Sequence, residues 1–337
     1  MTTPDPDLIE LGWKPFFSEQ LLPGECPDLQ PVRALAIRRG SVAVAGAGID
    51  QLISPALRES DAEERQLAVG DWLLVDPEAL QIVRILRRAS LFKRRAPGSG
   101  RKLQLIAANV DTVFIVASCN EDFSPARIER YLVLAREVGV HPVVVLTKVD
   151  LTETPDAFVE AARGLQPGLD VAIVDARDSA SAGSLAGWCG VGQTVALLGS
   201  SGVGKSTLIN TLRKSHAIAT AQVREADGKG RHTTTVREMH RLAQGGWLLD
   251  TPGMRELQLT DAAAGLAVVF EDIVALARQC RFSNCAHQSE PGCAVRTALE
   301  DGTLQPDRLE RLRKLTLEDD CNTLALDERR PRARPRR

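Results

Sequence analysis

The pattern of apolar and polar positions changes character twice along the chain. Residues 1–28 are polar and punctuated by proline, the composition of a flexible N-terminal tail. Short alternating stretches follow between 31 and 92: VRALAIRRG, SVAVAGAG, DWLLVD and QIVRIL, separated by glycine, proline and charged turns. Period-two alternation at that spacing predicts a small all-β barrel over 29–97. Residues 93–102, KRRAPGSGRK, read as a basic linker.

From residue 110 the runs become nearly continuous in apolar character: VDTVFIVAS (110–118), PVVVLT (142–147), DVAIVDA (170–176), TVALLG (194–199) and GWLLDT (246–251). Amphipathic stretches, PARIERYLVLAREVG (125–139) and DAFVEAARGL (156–165), separate the first three. Strands without a polar face are buried on both sides, which predicts an α/β unit over 103–265 with a mostly parallel sheet and helices on both faces. The stretch VREMHRL (236–242) predicts one antiparallel hairpin at its edge. Residues 266–325 read as helical and polar, interrupted by a cysteine cluster, and 326–337 as a basic disordered tail.

Candidate chemistry sharpens this outline. Gly199-Ser200-Ser201-Gly202-Val203-Gly204-Lys205-Ser206 fits G-x-x-x-x-G-K-[ST], follows the strand TVALLG and opens the helix STLINTLRK, which begins Ser206-Thr207. Glycines let a backbone approach phosphates, and loop N–H groups bind them at a helix N-terminus. Lys205 is then expected on the β and γ oxygens and Ser206 on Mg²⁺. Asp250-Thr-Pro-Gly253 ends the strand GWLLDT, with Asp250 placed as an indirect Mg²⁺ partner and the Gly253 N–H as a γ-phosphate sensor. Between them lies GKGRHTTT (228–235), where one threonine of 233–235, with Thr234 the candidate, completes the Mg²⁺ shell. Thr147-Lys148-Val149-Asp150 ends the strand PVVVLT and supplies what a guanine reader needs. A carboxylate accepts from N1–H and the 2-amino group, a pair adenine does not offer, and a lysine stem lies along the purine. Asp175-Ala176, after DVAIVDA, takes the place of a supporting loop against the base. This reader precedes the phosphate loop by about fifty residues instead of following it. Rotating the chain order around an unchanged sheet explains that without new chemistry.

With these motifs in that order, the chain resembles the circularly permuted GTPases of the ribosome small-subunit-dependent GTPase A (RsgA) family, over about residues 30–300. The resemblance implies an N-terminal OB barrel that binds RNA, a permuted G domain and a C-terminal zinc-binding helical domain. It implies GTP hydrolysis to GDP and phosphate, stimulated by the 30S subunit and its 16S rRNA during late maturation of that subunit. Two residues depart from the family pattern: Thr147 stands where many GTPases have Asn, and Asp175 where Ser is usual. Both bear on nucleotide affinity more than on nucleotide identity, since Asp150 is retained.

After Asp-Thr-Pro-Gly comes Met254, where Ras-like enzymes carry the glutamine that orients the attacking water. A thioether does not orient water, so slow intrinsic hydrolysis is expected, with His232 the candidate for the missing group. Cys280-x4-Cys285-x-His287-x5-Cys293 offers three thiolates and an imidazole, a closed tetrahedral zinc set of structural kind. The segment 254–266 runs directly from the γ-phosphate sensor into this zinc region, so GTP is expected to fix the angle between the two.

Composition narrows the partners. The formal net charge is −2, from 42 basic and 44 acidic residues. That average hides a stretch of eight basic residues and no acidic ones over 84–102, and six arginines in the last nine residues. Of the basic residues 34 are Arg and 8 Lys, while aromatics are 4%. Arginine forks on RNA phosphates therefore suit the chain better than stacking platforms do. The N-terminus lacks a secretory pattern and no apolar run reaches membrane-spanning length. With clustered cysteines this reads as a cytoplasmic, monomeric protein. Two other classes remain open at this point: a P-loop ATPase or kinase with RNA-binding domains, which has no need of Asp150, and a non-catalytic RNA-binding scaffold.

Overall fold

The computed structural model describes residues 5–23, 25, 28–56, 66–95, 103–214, 237–250, 254 and 257–327. An eleven-stranded mixed sheet runs through the molecule. Its parallel part consists of β8 (Thr112–Ser118), β9 (His141–Thr147), β10 (Asp170–Ile173), β11 (Thr194–Leu198) and β13 (Trp247–Asp250), in the order β10-β9-β8-β11-β13. Alternate side chains of β8 serve two cores. Val113, Ile115 and Ala117 meet α3 (Pro125–Glu137) and α4 (Pro155–Arg163), while Phe114 and Val116 join the cluster under α5 (Ser179–Ala182) and α6 (Lys205–Lys214). That two-sided burial is why β8, β9 and β11 read as continuous apolar runs. Strand β10 differs: it ends the sheet, and both its terminal residues are exposed.

The antiparallel part consists of β1 (Gln30–Arg38), β2 (Ser41–Gly46), β3 (Ile49–Ile53), β4 (Trp72–Asp76) and β5 (Gln81–Ile85). It has its own core of Val32, Ala34, Val42, Val44, Ile49, Ile53, Leu73, Val75 and Ile82. The expected hairpin of β12 (Arg237–Arg241) with β13 is present, yet β12 is not an edge. The end of β1 pairs with its far side, Ala36 opposite Glu238 and Ile37 opposite Arg237, and joins the two halves into one sheet.

Two expectations are corrected. The first residues of the region read as a linker are strand: β6 (Leu91–Arg95) runs into it and pairs antiparallel with β7 (Leu103–Ala108), which starts just after it, and Arg94 Nε donates to Gln104 Oε1 at 3.0 Å. Three consecutive basic residues, 93–95, masked the strand, which Phe92 anchors by its burial. The segment read as a flexible tail is packed. It forms α1 (Pro6–Glu10) and α2 (Pro15–Ser18), and Trp13 sets its ring edge-on against Trp72 at 4.8 Å between centroids. Phe17, 2% exposed, lies 5.8 Å from the same indole. Beneath them Arg33 is buried, donates to Leu11 O and to Asn109 O, and has its pKa lowered by desolvation to about 10. Large aromatic side chains supply the apolar surface that this short segment needs to stay docked.

At the other end, α7 (Ala263–Val269), α8 (Glu271–Ala277), α9 (Ala294–Glu300) and α10 (Pro306–Asp327) form a helical unit against α3. Gly265 of α7 sits so close to α3 that a Cβ there would lie 2.3 Å from Val133 O. Glu129 of α3 is fully buried and accepts from Arg308 Nη1 at 2.6 Å and Arg311 Nε at 2.5 Å, both on α10. Arg308 also meets Asp272 of α8 and lies over the Phe270 ring at 4.7 Å. Among the described residues no helix is long and apolar enough to cross a membrane.

Candidate nucleotide site and metal centre

Parallel strands put all their carboxyl ends on one edge, and the motif-bearing turns follow those ends. Ser118 of β8 pairs with Thr147 of β9, Leu198 of β11 with Ile115 of β8, and Leu249 of β13 with Ala196 of β11. The base reader, the phosphate loop and Asp250 therefore leave the sheet at one edge, where ligands bind in open α/β sheets.

The loop between β11 and α6 requires its glycines. Gly199 has φ +145°, and a Cβ there would stand 2.5 Å from Val116 O. Gly202 and Gly204 also have positive φ, +83° and +96°. Val203 points the other way, 3% exposed, and pins the loop to the core. Lys205 opens α6 with its stem buried, and its Nζ donates to Gly199 O at 2.6 Å and to Ser200 O. The ammonium is thereby fixed at the mouth of a loop of backbone amides, a cradle for phosphate oxygens. Ser201, Ser206 and Thr207 face solvent there. The Ser206 hydroxyl and the Asp250 carboxylate, both exposed at this edge, are oxygen donors of the class Mg²⁺ takes.

Thr147 ties this loop to the base reader. It is fully buried, and its hydroxyl donates to Val203 O at 2.6 Å, with Ala117 O 3.2 Å away. The residue expected beside the base edge thus spends its single proton on the phosphate loop. Lys148 follows in the left-handed region at φ +55°, and Asp150 lies in the 3₁₀ turn Val149–Leu151. Asp150 Oδ2 accepts from Arg177 Nη2 at 3.1 Å. Asp175 takes the Arg177 backbone N–H at 3.0 Å, and the Arg177 Nε lies 3.3 Å from the same oxygen. These bonds, the backbone one foremost, hold the Asp175 carboxyl below its ordinary pKa. Ala176 O accepts from Thr211 Oγ1 of α6 at 2.6 Å, a second tie between base side and phosphate side.

Two residues here escaped the sequence reading. Arg177 is one. The other is Arg127 on the first turn of α3, whose Nη1 donates to Ser200 Oγ at 2.6 Å and Nη2 to Asp122 O at 3.1 Å. It brings a cation to the flank of the phosphate loop from 73 residues away. Met254 is 2% exposed and belongs to the apolar core, so it does not face the phosphate side. His232, Thr233, Thr234, Thr235 and Gly253 lie outside the described residues.

The cysteine cluster lies between α8 and α9. The ligand atoms of Cys280, Cys285, His287 and Cys293 all fall within 4.8 Å of one another. Cys280 Sγ is 3.6 Å from His287 Nδ1 and 3.9 Å from Cys293 Sγ, and the latter is 3.4 Å from His287 Nδ1. Such separations fit four donors around one tetrahedral ion, with three thiolates and an imidazole suited to Zn²⁺. Glu290 braces the loop: its carboxylate accepts from the N–H groups of Gln288 at 2.8 Å and Ala286 at 2.7 Å, which pull its pKa down to about 2. Arg313 of α10 donates to His287 O at 2.9 Å and fastens the loop to the long helix.

The chain has clear relatives. The sequence model of the RsgA GTPase family matches residues 85–260. A protein of Mesorhizobium japonicum named small ribosomal subunit biogenesis GTPase RsgA is 48% identical, covering 96% of this chain and 93% of that one. Small ribosomal subunit biogenesis GTPase RsgA 2 of Vibrio parahaemolyticus is 47% identical, covering 97% and 90%. Among solved structures, YjeQ from Thermotoga maritima superposes with a TM-score of 0.63 at 25% identity, covering 90% of this chain and all of the other. A family match across half the chain, near-full-length relatives at almost half identity and a reader-before-loop order on one sheet edge agree: this chain belongs to the RsgA GTPase family.

Proposed function

We propose that this chain hydrolyses GTP in the service of small ribosomal subunit biogenesis, binding the 30S subunit and its 16S rRNA late in maturation. One observation carries the nucleotide half of that reading. The Thr147 hydroxyl bonds Val203 O, so a base reader that comes first in the chain is locked onto the phosphate loop that comes later. A P-loop ATPase or kinase has no use for that coupling to Asp150, and a vestigial scaffold has no use for an anchored Lys205.

In this reading the loop 199–204 binds the β- and α-phosphates through its N–H groups, and Lys205 balances charge on the β and γ oxygens. Asp150 selects guanine, Lys148 lies along the ring, and Asp175-Ala176 close the base side. Ser206 and Thr234 hold Mg²⁺, with Asp250 behind them, and Gly253 senses the γ-phosphate. Bound Mg²⁺ neutralises charge that develops between the β- and γ-phosphates. Because Met254 is turned into the core, His232 is the group that orients the water, which attacks the γ-phosphorus as the β–γ bridging oxygen leaves with its electron pair. Residues 29–97 act as an OB-fold RNA-binding domain, 103–265 as the permuted G domain and 266–325 as a zinc-binding domain, on a monomer in the cytoplasm. The basic stretches at 84–102 and 329–337 contact rRNA phosphates, so binding falls steeply with salt.

GTP turnover with and without purified 30S subunits tests this. Stimulation by the subunit is expected, and Lys205→Ala abolishes it. In His232→Ala, stimulated turnover falls about a hundredfold while GTP affinity holds. Stimulation that survives in His232→Ala at unchanged affinity removes that residue from the chemistry.

A further inference from the structure

We propose that Arg177 is a built-in competitor for the base-reading carboxylate: it occupies Asp150 while no nucleotide is bound, and an arriving guanine displaces it. The inference rests on the reading of Asp150 as guanine reader and adds a control on it. Arg177 is doubly anchored to Asp175, through its own backbone N–H at 3.0 Å and its Nε at 3.3 Å, both on Oδ1. That anchoring leaves the far arm of the fork, Nη2, aimed at Asp150 Oδ2 at 3.1 Å, across 27 residues of chain. One guanidinium thus bridges two carboxylates on the base side of the site. The anchor depends on position 175 carrying a carboxylate. A serine hydroxyl would offer no charge to hold the guanidinium.

Chemistry makes the two ligands of Asp150 competitors. A guanine asks for both carboxylate oxygens at once, one for N1–H and one for the 2-amino group. Arg177 donates to one of those same oxygens and, being a cation, cancels the charge that makes the carboxylate a strong acceptor for neutral donors. Both side chains are exposed, 66% for Arg177 and 47% for Asp150, so the pair is screened and weak enough to yield. The hold is modest, and it acts on the base alone.

Calorimetric titration of the full chain with GDP, GTP and ATP, each with Mg²⁺, tests the competition. In Arg177→Gln, GDP and GTP both bind about twofold to fivefold more tightly, by the same factor, and ATP is unchanged. Asp175→Asn shifts affinity in the same direction by less. Raising salt about tenfold, to roughly 0.5 M, brings wild type and Arg177→Gln together, because the bridge is screened and its loss no longer matters. Equal or weaker guanine-nucleotide binding in Arg177→Gln overturns the proposal. Asp150→Asn separates the underlying reading: it is expected to lose the preference for GDP over ATP. A preserved preference removes Asp150 as the reader, whatever Arg177 does.

Discussion

Thr147 shows how much one buried hydroxyl decides. Its proton is committed to Val203 O, and no solvent reaches the pair. Replacing Thr147 by Val keeps the shape and removes the donor, leaving a buried carbonyl unsatisfied at a cost of about 1–3 kcal/mol. The expected outcome is a lower unfolding midpoint together with weaker binding of GDP and GTP, since the loop loses its tie to the base side. Thr147→Ser restores both. Nucleotide binding untouched in Thr147→Val would mean that the loop holds its shape without the tie. Legibility at this scale follows sequence distance. The glycines, Lys205 and Asp150 could be singled out because each motif is local in sequence, and the structure brings their turns to one edge of the sheet. Arg127 and Arg177 were not, because an arginine on a surface helix or turn carries no mark of the loop it will touch, 73 and 27 residues away respectively.

At the scale of elements, β8, β9 and β11 announced themselves because burial on two faces leaves no polar position to interrupt the run. Short elements did not. Helices of five and four residues show no period, and α1 and α2 exist because Trp13 and Phe17 find Trp72, a tertiary fact. The same holds for α7, whose seven residues lie along α3 by virtue of Gly265. Its N–H donates to Glu137 Oε2 at 2.8 Å, and there is no room for a side chain. Gly265→Ala would improve intrinsic helix propensity and is nevertheless expected to destabilise by about 1–3 kcal/mol, because a methyl group would meet the backbone of α3. Faster proteolytic release of the C-terminal helices, with GDP affinity retained, is the accompanying readout. A stabilised protein would show that α7 shifts at no cost.

For the whole molecule, the chain order suggested a hinge: the segment after Asp250 leads straight into the zinc region, so nucleotide state would set an angle. The helices argue for a stiffer linkage. Glu129 is buried between Arg308 and Arg311, Arg130 meets Glu318 and donates to Leu257 O at 3.0 Å, and Asp319 accepts the Ala262 N–H at 3.0 Å. Pulling both arginines away from the fully buried Glu129 would leave an unpaired buried charge, at a cost of about 3–5 kcal/mol. The Cys/His loop hangs from this platform at α8, α9 and Arg313, so a metal held there would order the loop. Stripping zinc with a chelator is therefore expected to release about one ion per chain and unfold the loop 280–293. Stimulation by the small subunit should disappear, while intrinsic GTP turnover and GDP affinity stay within about twofold, because the four cluster residues lie in the loop between α8 and α9, far along the chain from the glycine-rich loop 199–204. If chelation instead weakens nucleotide binding in parallel, the zinc region and the G domain fold as one unit, and the clamp on α3 depends on the metal.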